Sequence, residues 1–354
     1  MEITSEQVLQ LLTRITHPAT GKNIVSMGMV QDLTIEAENI GFVLKFQSFN
    51  DPLKSSLKNA CEQLLKDELK NKYQVKVILQ APVRPIKPVP EKPLSTVKNI
   101  IAISSGKGGV GKSTVAANIA VAFAKTGAKT GLIDADIFGP SIPKMLGVEG
   151  QRPEMAEING KEKIMPIEKF GVKILSIGFF VNPSDATIWR GPMASNALKQ
   201  LMADGHWDGL DYLFLDLPPG TSDIHITISQ DIKLTGAVIV STPQDVALAD
   251  VVKGINMFRN KGLNVPVLGI IENMAWFTPE ELPDNKYYIF GKGGCEKLSK
   301  EMNVPLLGQI PIIQSVREDS DNGTPAVLRK DKVAEYFKNI AETIRTEALK
   351  ASIS

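Results

Sequence analysis

The residues that most restrict what this chain can fold into run from Ile100 to Thr114, IIAISSGKGGVGKST, where an apolar run breaks into glycines and ends on Lys-Ser-Thr. Gly106, Gly111, Lys112 and Ser113 satisfy the spacing G-x-x-x-x-G-K-[ST]. In that pattern glycines let successive backbone N–H groups turn inward on a phosphate, the lysine reaches the terminal phosphates, and the hydroxyl sits on Mg2+. Asn99 to Ser104 reads as a buried strand, and Ser113 to Lys125 as a helix whose N-terminus faces the anion. The expected phosphate cradle is Gly106, Lys107, Gly108, Gly109, Val110, Gly111, Lys112, Ser113 and Thr114.

Beyond the loop, apolar runs alternate with helical patterns. Strands are expected at Thr130 to Asp134, Val172 to Ile177, Tyr212 to Asp216, Gly236 to Ser241, Val267 to Asn273 and Leu306 to Ile310. This alternation predicts an α/β fold, a P-loop NTPase with a mostly parallel sheet covered by helices on both faces and ligands at the carboxyl ends of its strands. Two strands end in acid: GLIDADIFGPS carries Asp134 and Asp136, and YLFLDLPPG carries Asp216 followed by Pro218, Pro219 and Gly220. Asp134 and Asp136 are expected to have different jobs. A lone apolar strand ending in Asp is weak evidence, but a phosphate loop and two such elements in this order are strong.

A preceding region is set apart by Ala81 to Pro93, APVRPIKPVPEKP, with five prolines in thirteen residues. Such a stretch is a semi-rigid extended linker. The expected organisation is residues 1–80 as a small α+β domain, 81–96 as linker and 97–354 as the nucleotide domain. Within the first, helices are read at Ser5 to Ile15 and Pro52 to Leu69, and strands at Val30 to Glu36, Gly41 to Phe46 and Gln74 to Ile78.

Composition narrows the class. Forty basic residues are offset by 39 acidic ones, for a net charge of +1, which argues against a nucleic-acid footprint. No apolar run is long enough to span a bilayer, and Met1 to Gln7 is too polar for a secretion signal. Cys61 and Cys295 are the two cysteines, so a reducing, cytoplasmic setting is expected rather than a disulfide framework.

Lys107 makes the loop more specific, because an ordinary phosphate loop has no chemical need for a cation just after its first glycine. The stretch K-G-G-V-G-K-S-T resembles the deviant Walker A of the MinD/Mrp class of P-loop ATPases. The resemblance implies ATP and Mg2+ as cofactors, a homodimer, and a signature lysine that reaches the partner's phosphates, with Lys107, Lys112 and Asp136 as the catalytic set. It also places Asp136 at the group that orients or activates the attacking water. Asp134, Asp216 and Ser113 fall near Mg2+, and Gly220 N–H becomes a sensor of the terminal phosphate. VSTPQDVALAD from Val240 to Asp250 and ENM from Glu272 to Met274 extend the likeness to the Mrp/ApbC iron-sulfur carrier family. That implies an adenine-edge role for Asn273, a base-side loop containing Pro311 and Val316-Arg317-Glu318, and apoprotein clients or iron-sulfur assembly factors as partners. Trp189-Arg190-Gly191-Pro192 belongs to the same likeness without a catalytic assignment.

The N-terminal region resembles the MIP18-type domain, notably in IVSMGMV from Ile24 to Val30, although Asp51-Pro52 stands where that family often has Cys-Pro. A docking or regulatory module is the expectation there. One departure bears on function. Mrp-type carriers place C-x-x-C soon after the E-N-M triplet, whereas this chain has AWFTPEELPD from Ala275 to Asp284. Cys295, in Gly293-Gly294-Cys295 at the start of a helix that could lower its pKa, could supply one ligand per subunit to a labile 4Fe-4S cluster; the other reading, which also holds for Cys61 in its amphipathic helix, is a small buried packing residue. The alternative is a cluster-free ATPase scaffold.

Overall fold

The computed structural model describes residues 3–18, 20–46, 53–80, 94–137, 139–180, 191–221, 223–279, 281–282 and 284–353. Residues 81–93 of the expected linker (81–96), Asp51-Pro52, and Trp189 and Arg190 lie outside the described residues. Two compact units divide the chain, residues 1–90 and 91–354.

The first unit contains α1 (Ser5–Leu12), β1 (Val30–Glu36), β2 (Asn39–Lys45), α2 (Lys54–Glu68) and β3 (Gln74–Gln80). Its start follows from a capping box: Gln7 N–H donates to Thr4 Oγ1, and Thr4 N–H donates to Gln7 Oε1. The β1–β2 pair is antiparallel and β2–β3 parallel, with α2 as the crossover. Val8 and Leu12 of α1 and Leu57, Cys61 and Leu65 of α2 bury against Ile40, Phe42 and Leu44, so one helical stripe meets one sheet face.

The second unit is built on β4 (Asn99–Ser105), α3 (Lys112–Lys125), β5 (Thr130–Asp134), α4 (Ile142–Met145), β6 (Glu154–Ile158), β7 (Lys161–Met165), β8 (Ile167–Lys169) and β9 (Val172–Ser176). Then follow α5 (Gly191–Asp204), β10 (Tyr212–Asp216), α6 (Asp223–Asp231), β11 (Gly236–Ser241), α7 (Asp245–Arg259), β12 (Val267–Phe277), α8 (Gly294–Met302), β13 (Leu306–Ile312), α9 (Gln314–Asp321) and α10 (Lys332–Ile353). The eight-stranded sheet has the order β13-β12-β11-β4-β10-β5-β9-β8, parallel except where β8 pairs antiparallel with β9.

Burial on both faces explains the continuous apolar strands. Along β4, Ile101 and Ile103 pack with α3 and α10 through Val115, Phe123, Phe337 and Ile340, while Ile100 and Ala102 belong to the opposite cluster with Ile228, Val251 and Phe258. The sheet turns about β4, whose neighbours are β10 and β11. Its carboxyl end is therefore the crevice where a doubly wound sheet binds ligands.

Three departures from the sequence reading have local causes. β6 and β7 form a hairpin the reading did not anticipate, closed by Asn159 and Gly160 at φ 53° and 75°. The strand expected to stop at Asn273 continues to Phe277, carried past a left-handed Met274 at φ 56° by pairing of Phe277 with Tyr287. The first helix ends at Leu12 instead of Ile15, where Thr13 N–H and Oγ1 close the turn on Leu9 and Gln10 carbonyls.

Candidate phosphate site

The loop after β4 is shaped by what its glycines touch. A Cβ on Gly106 would stand 2.6 Å from the Asp250 backbone carbonyl carbon in α7, so only glycine lets the loop lie against that helix. Gly111 has φ 80°, and a Cβ there would stand 2.3 Å from Asn273 Nδ2. Asn273 fills this place because its Nδ2–H donates to the Val110 carbonyl at 2.8 Å. The loop thus opens onto the start of α3 at Lys112, with the helix N-terminus behind the anion position.

The resulting cleft of about 210 Å3 is lined by the loop from Lys107 to Thr114 and, across from it, by Asp136, Ser141, Met145 and Pro219. Its size is below the roughly 300–1,000 Å3 of sites that enclose a whole drug-sized ligand, so it suits phosphate groups with the rest of a nucleotide outside.

Lys112 is held inside this cleft at 6% exposure. Its Nζ donates to Asp216 Oδ1 at 2.6 Å, lies 3.9 Å from Asp136 Oδ2, and is 3.4 Å from Ser113 Oγ. The carboxylates of two strand ends therefore converge on the loop lysine. Asp216 is fully buried, and its Oδ2 has no hydrogen-bond partner among the described residues. A buried acceptor left open beside a serine hydroxyl and a phosphate cradle fits a hydrated divalent cation.

Asp134 is fully buried and does a different job from Asp136. Its Oδ1 accepts from Asp136 N–H at 3.2 Å, and its Oδ2 accepts from Ile142 N–H at 3.2 Å and Ser176 Oγ–H at 3.0 Å. It therefore fastens both ends of the 136–142 loop. Burial, with the Asp216 carboxylate nearby, pushes its carboxyl up to about 7, against the opposing help of Ser176 and Lys112. Asp136 is at the cleft wall, off the end of β5.

Other expected site residues are dispersed around the loop and beyond it. Gly220, at φ 85°, donates its N–H to the Ser105 carbonyl at 2.9 Å, tying the Pro218-Pro219-Gly220 turn to the base of the phosphate loop. Lys107 Nζ donates to Gln244 Oε1 at 3.3 Å. Asn273 stands behind the loop, and Pro311 is buried in β13; neither lines the cleft. Arg317 lies on α9, paired with Glu318 and Asp321.

For Cys295 the structure favours the packing reading over the ligand reading. The thiol is fully buried, its N–H donates to Glu272 Oε2 at 2.8 Å, and burial together with the Glu272 carboxylate pushes the thiol up instead of down. The helix-terminus effect is outweighed by loss of water and a neighbouring negative charge. Cys61 sits in the core of the other unit, where burial and Glu62 push it up to about 12. Among the described residues no three His, Cys, Asp or Glu side chains are grouped to hold a metal ion. The thiols do not fit a cluster site.

Ser176 and Gln244 were not singled out in the sequence, because each acquires its role through contacts with residues 42 and 137 positions away. For Gln244 the only sequence pointer is its place inside VSTPQDVALAD.

Comparison with known proteins agrees with this geometry. The model of the ParA-type family described as NUBPL iron-transfer P-loop NTPase matches residues 96–345, and that of the iron-sulfur cluster assembly protein family matches residues 5–77. A protein of Synechocystis named iron-sulfur cluster carrier protein is 43% identical over 334 residues, covering 94% of each chain. One of Haemophilus influenzae with the same name is 42% identical over 96% of this chain and 91% of its own. Among solved structures, a nucleotide-binding protein of Archaeoglobus fulgidus in complex with ADP is 38% identical, with TM-score 0.56 over 65% of this chain and 88% of that one. The cell-division ATPase MinD of Pyrococcus furiosus is 25% identical, with TM-score 0.51 over 71% of this chain and 99% of its own. With the phosphate loop, its paired aspartates and this extent of similarity together, the chain belongs to the NUBPL iron-transfer P-loop NTPase family.

Proposed function

We propose that the protein is a Mg2+-dependent ATPase, working as a homodimer in the cytoplasm, whose nucleotide cycle drives handling of iron-sulfur clusters for apoprotein clients or assembly factors. The observation that carries the reading is the convergence of Lys112, Asp136 and Asp216 on the phosphate loop. The cluster assignment rests on the relatives named iron-sulfur cluster carrier proteins. Among the described residues no helix is long and apolar enough to cross a membrane.

Ser113 and Asp216 would hold Mg2+, with Asp134 bracing the adjoining loop; the ion supplies charge neutralisation at the phosphates. The chain does the rest. Loop N–H groups and Lys112 bind phosphate, which requires Lys112 to share its charge between Asp216 and the ligand. Asp136 orients the attacking water, and Lys107 reaches the phosphates of the second protomer. Cluster ligands come from outside the two cysteines: glutathione, carboxylates or the thiolates of a partner.

Two buried thiols in separate units also favour a second reading, an ATPase scaffold or regulator in iron-sulfur protein assembly that carries no cluster itself. One experiment separates the two and tests the first. The full-length protein is incubated anaerobically with iron and sulfide, freed of unbound metal, and offered to an apoprotein that gains activity on receiving a cluster. The carrier reading expects ATP-stimulated transfer that Lys112→Ala abolishes together with phosphate release. ATP turnover with no bound cluster and no transfer leaves the scaffold. Wild-type turnover in Lys112→Ala refutes the ATPase assignment.

A further inference from the structure

Between β11 and α7 the chain runs Thr242-Pro243-Gln244, and Gln244 occupies the cap position of α7 without making a side-chain cap bond. Its amide is turned back toward the phosphate loop instead. Oε1 accepts two hydrogen bonds, from Lys107 Nζ at 3.3 Å and from Thr242 Oγ1 at 3.2 Å. The lysine's own backbone is fixed too, since Ser105 Oγ–H donates to the Lys107 carbonyl at 3.0 Å.

This meeting is built into the packing. Gly106 lies so close to Asp250 and Val251 that a Cβ would intrude on both, which seats the loop on α7 and brings Lys107 beside the start of that helix. Thr242 is buried at 3% exposure, and its hydroxyl sets the direction of the amide oxygen. We propose that Gln244 is a positioning residue, a neutral latch that parks the Lys107 ammonium within its own protomer until an anionic phosphate draws it away. This rests on the proposed dimeric ATPase reading, in which Lys107 acts on the partner's nucleotide.

The neutrality of the acceptor decides which bond wins. A hydrogen bond between an ammonium and an amide oxygen holds the side chain in one direction, yet a phosphate oxygen is a charged acceptor and forms the stronger bond. A carboxylate at the same place would compete with the phosphate on equal terms. Gln244 thus sets how much nucleotide is needed to release Lys107, and removing or charging its side chain should move that threshold in opposite directions.

The test uses the full chain with Mg-ATP, reading dimer fraction by analytical ultracentrifugation and phosphate release across ATP concentration. Gln244→Ala should lower the ATP concentration for half-maximal dimerisation by about threefold to tenfold, the span expected for one hydrogen bond to a charged group that is partly open to water. Gln244→Glu should raise it by about tenfold at low salt, with the shift shrinking in high salt as screening weakens the new ion pair. Thr242→Val, which leaves both latch partners in place, should move it in the Gln244→Ala direction by a smaller factor. Maximal turnover should change less than the midpoint in all three.

If Gln244→Ala and Gln244→Glu shift the midpoint the same way, or neither shifts it, the latch is refuted. Lys107→Ala distinguishes that failure from failure of the underlying reading. Normal dimerisation and hydrolysis in Lys107→Ala would overturn the role of the lysine itself, and the latch with it. Loss of both in Lys107→Ala with unshifted Gln244 variants would overturn the latch alone.

Discussion

Replacing Gly111 with alanine tests how the phosphate loop is held, because the structure gives two separable costs. The first is backbone strain. At φ 80° an L side chain costs about 1–2 kcal/mol. The second comes from Asn273, whose Nδ2 would be 2.3 Å from the new Cβ and must swing aside. That breaks its bond to the Val110 carbonyl, in a residue only 2% exposed. A buried acceptor left without its donor costs about 1–3 kcal/mol. Gly111→Ala should therefore destabilise by about 2–5 kcal/mol, which a domain stable by about 5–15 kcal/mol survives.

In an Asn273→Ala background the clash is already gone, so the same substitution should cost only the strain. The expected coupling is about 1–3 kcal/mol, read from urea unfolding of the two single variants and the double variant. Additive costs, agreeing within about 0.5 kcal/mol, would refute the steric argument. Nucleotide titrations of Asn273→Ala add a second discrimination. A loop buttress predicts that ADP and GDP binding weaken by the same factor, whereas a residue on the adenine edge predicts a change in their ratio. We expect the same factor.

Asp136→Asn should retain Mg-ATP binding while cleavage in single-turnover assays slows by about 10²- to 10⁴-fold, the range for loss of a general base; collapsed affinity with a normal bound-state rate would place Asp136 in the binding shell. The raised Asp134 carboxyl implies a pH effect on the protein in chelator. Its folded-state pKa, about 7, lies above the ordinary 3.8, so the folded form holds the extra proton, and this contribution is full below about pH 4 and lost as pH rises through 7. Urea midpoints should fall between pH 5 and 7.5 and flatten in Asp134→Asn; equal slopes in both proteins would show that another group titrates. Both thiols should react with iodoacetamide in the folded protein only at the rate of global or local opening, and prompt labelling of Cys295 at neutral pH would contradict its burial.

The central strands were legible because parallel strands covered on both faces need apolar residues at nearly every position, and β5, β10 and β11 begin and end at the residues the pattern marks. The phosphate loop was legible because its geometry is local: glycine spacing and the following helix are consecutive in sequence. The β6–β7 hairpin had a usable signal in Asn159-Gly160, hidden because Glu154, Glu157, Lys161 and Lys163 make its flanks look like a charged surface loop. No local pattern announces that Asp134 spends both oxygens on internal bonds, since Ser176 reaches it only after β9 has paired with β5. The choice between the two readings of Cys295 also turns on a distant contact. A helix start is visible in sequence, but the Glu272 carboxylate arrives from another strand.

The thiol environments constrain how this family member can meet iron and sulfur. Cluster ligands are thiolates, and removing the proton of a group at about pKa 12 near neutral pH costs roughly 7 kcal/mol for Cys61, before any cost of exposing its helix. Cys295 is pushed in the same direction by burial and Glu272, and it also carries a backbone N–H bond to Glu272, whose other oxygen is held by Gln309 at 2.7 Å. Bringing that sulfur to a surface means unpicking the start of α8 from β12 and β13. The phosphate site has no such obstacle: its cradle, Lys112 and Asp136 already line one cleft, and Lys112 is paired to the buried Asp216. The groups that would meet a phosphate are thus already assembled within the folded unit, whereas among the described residues a thiolate site is not. Burial of both thiols is what supports the reading in which a cluster is ligated by groups brought to the chain.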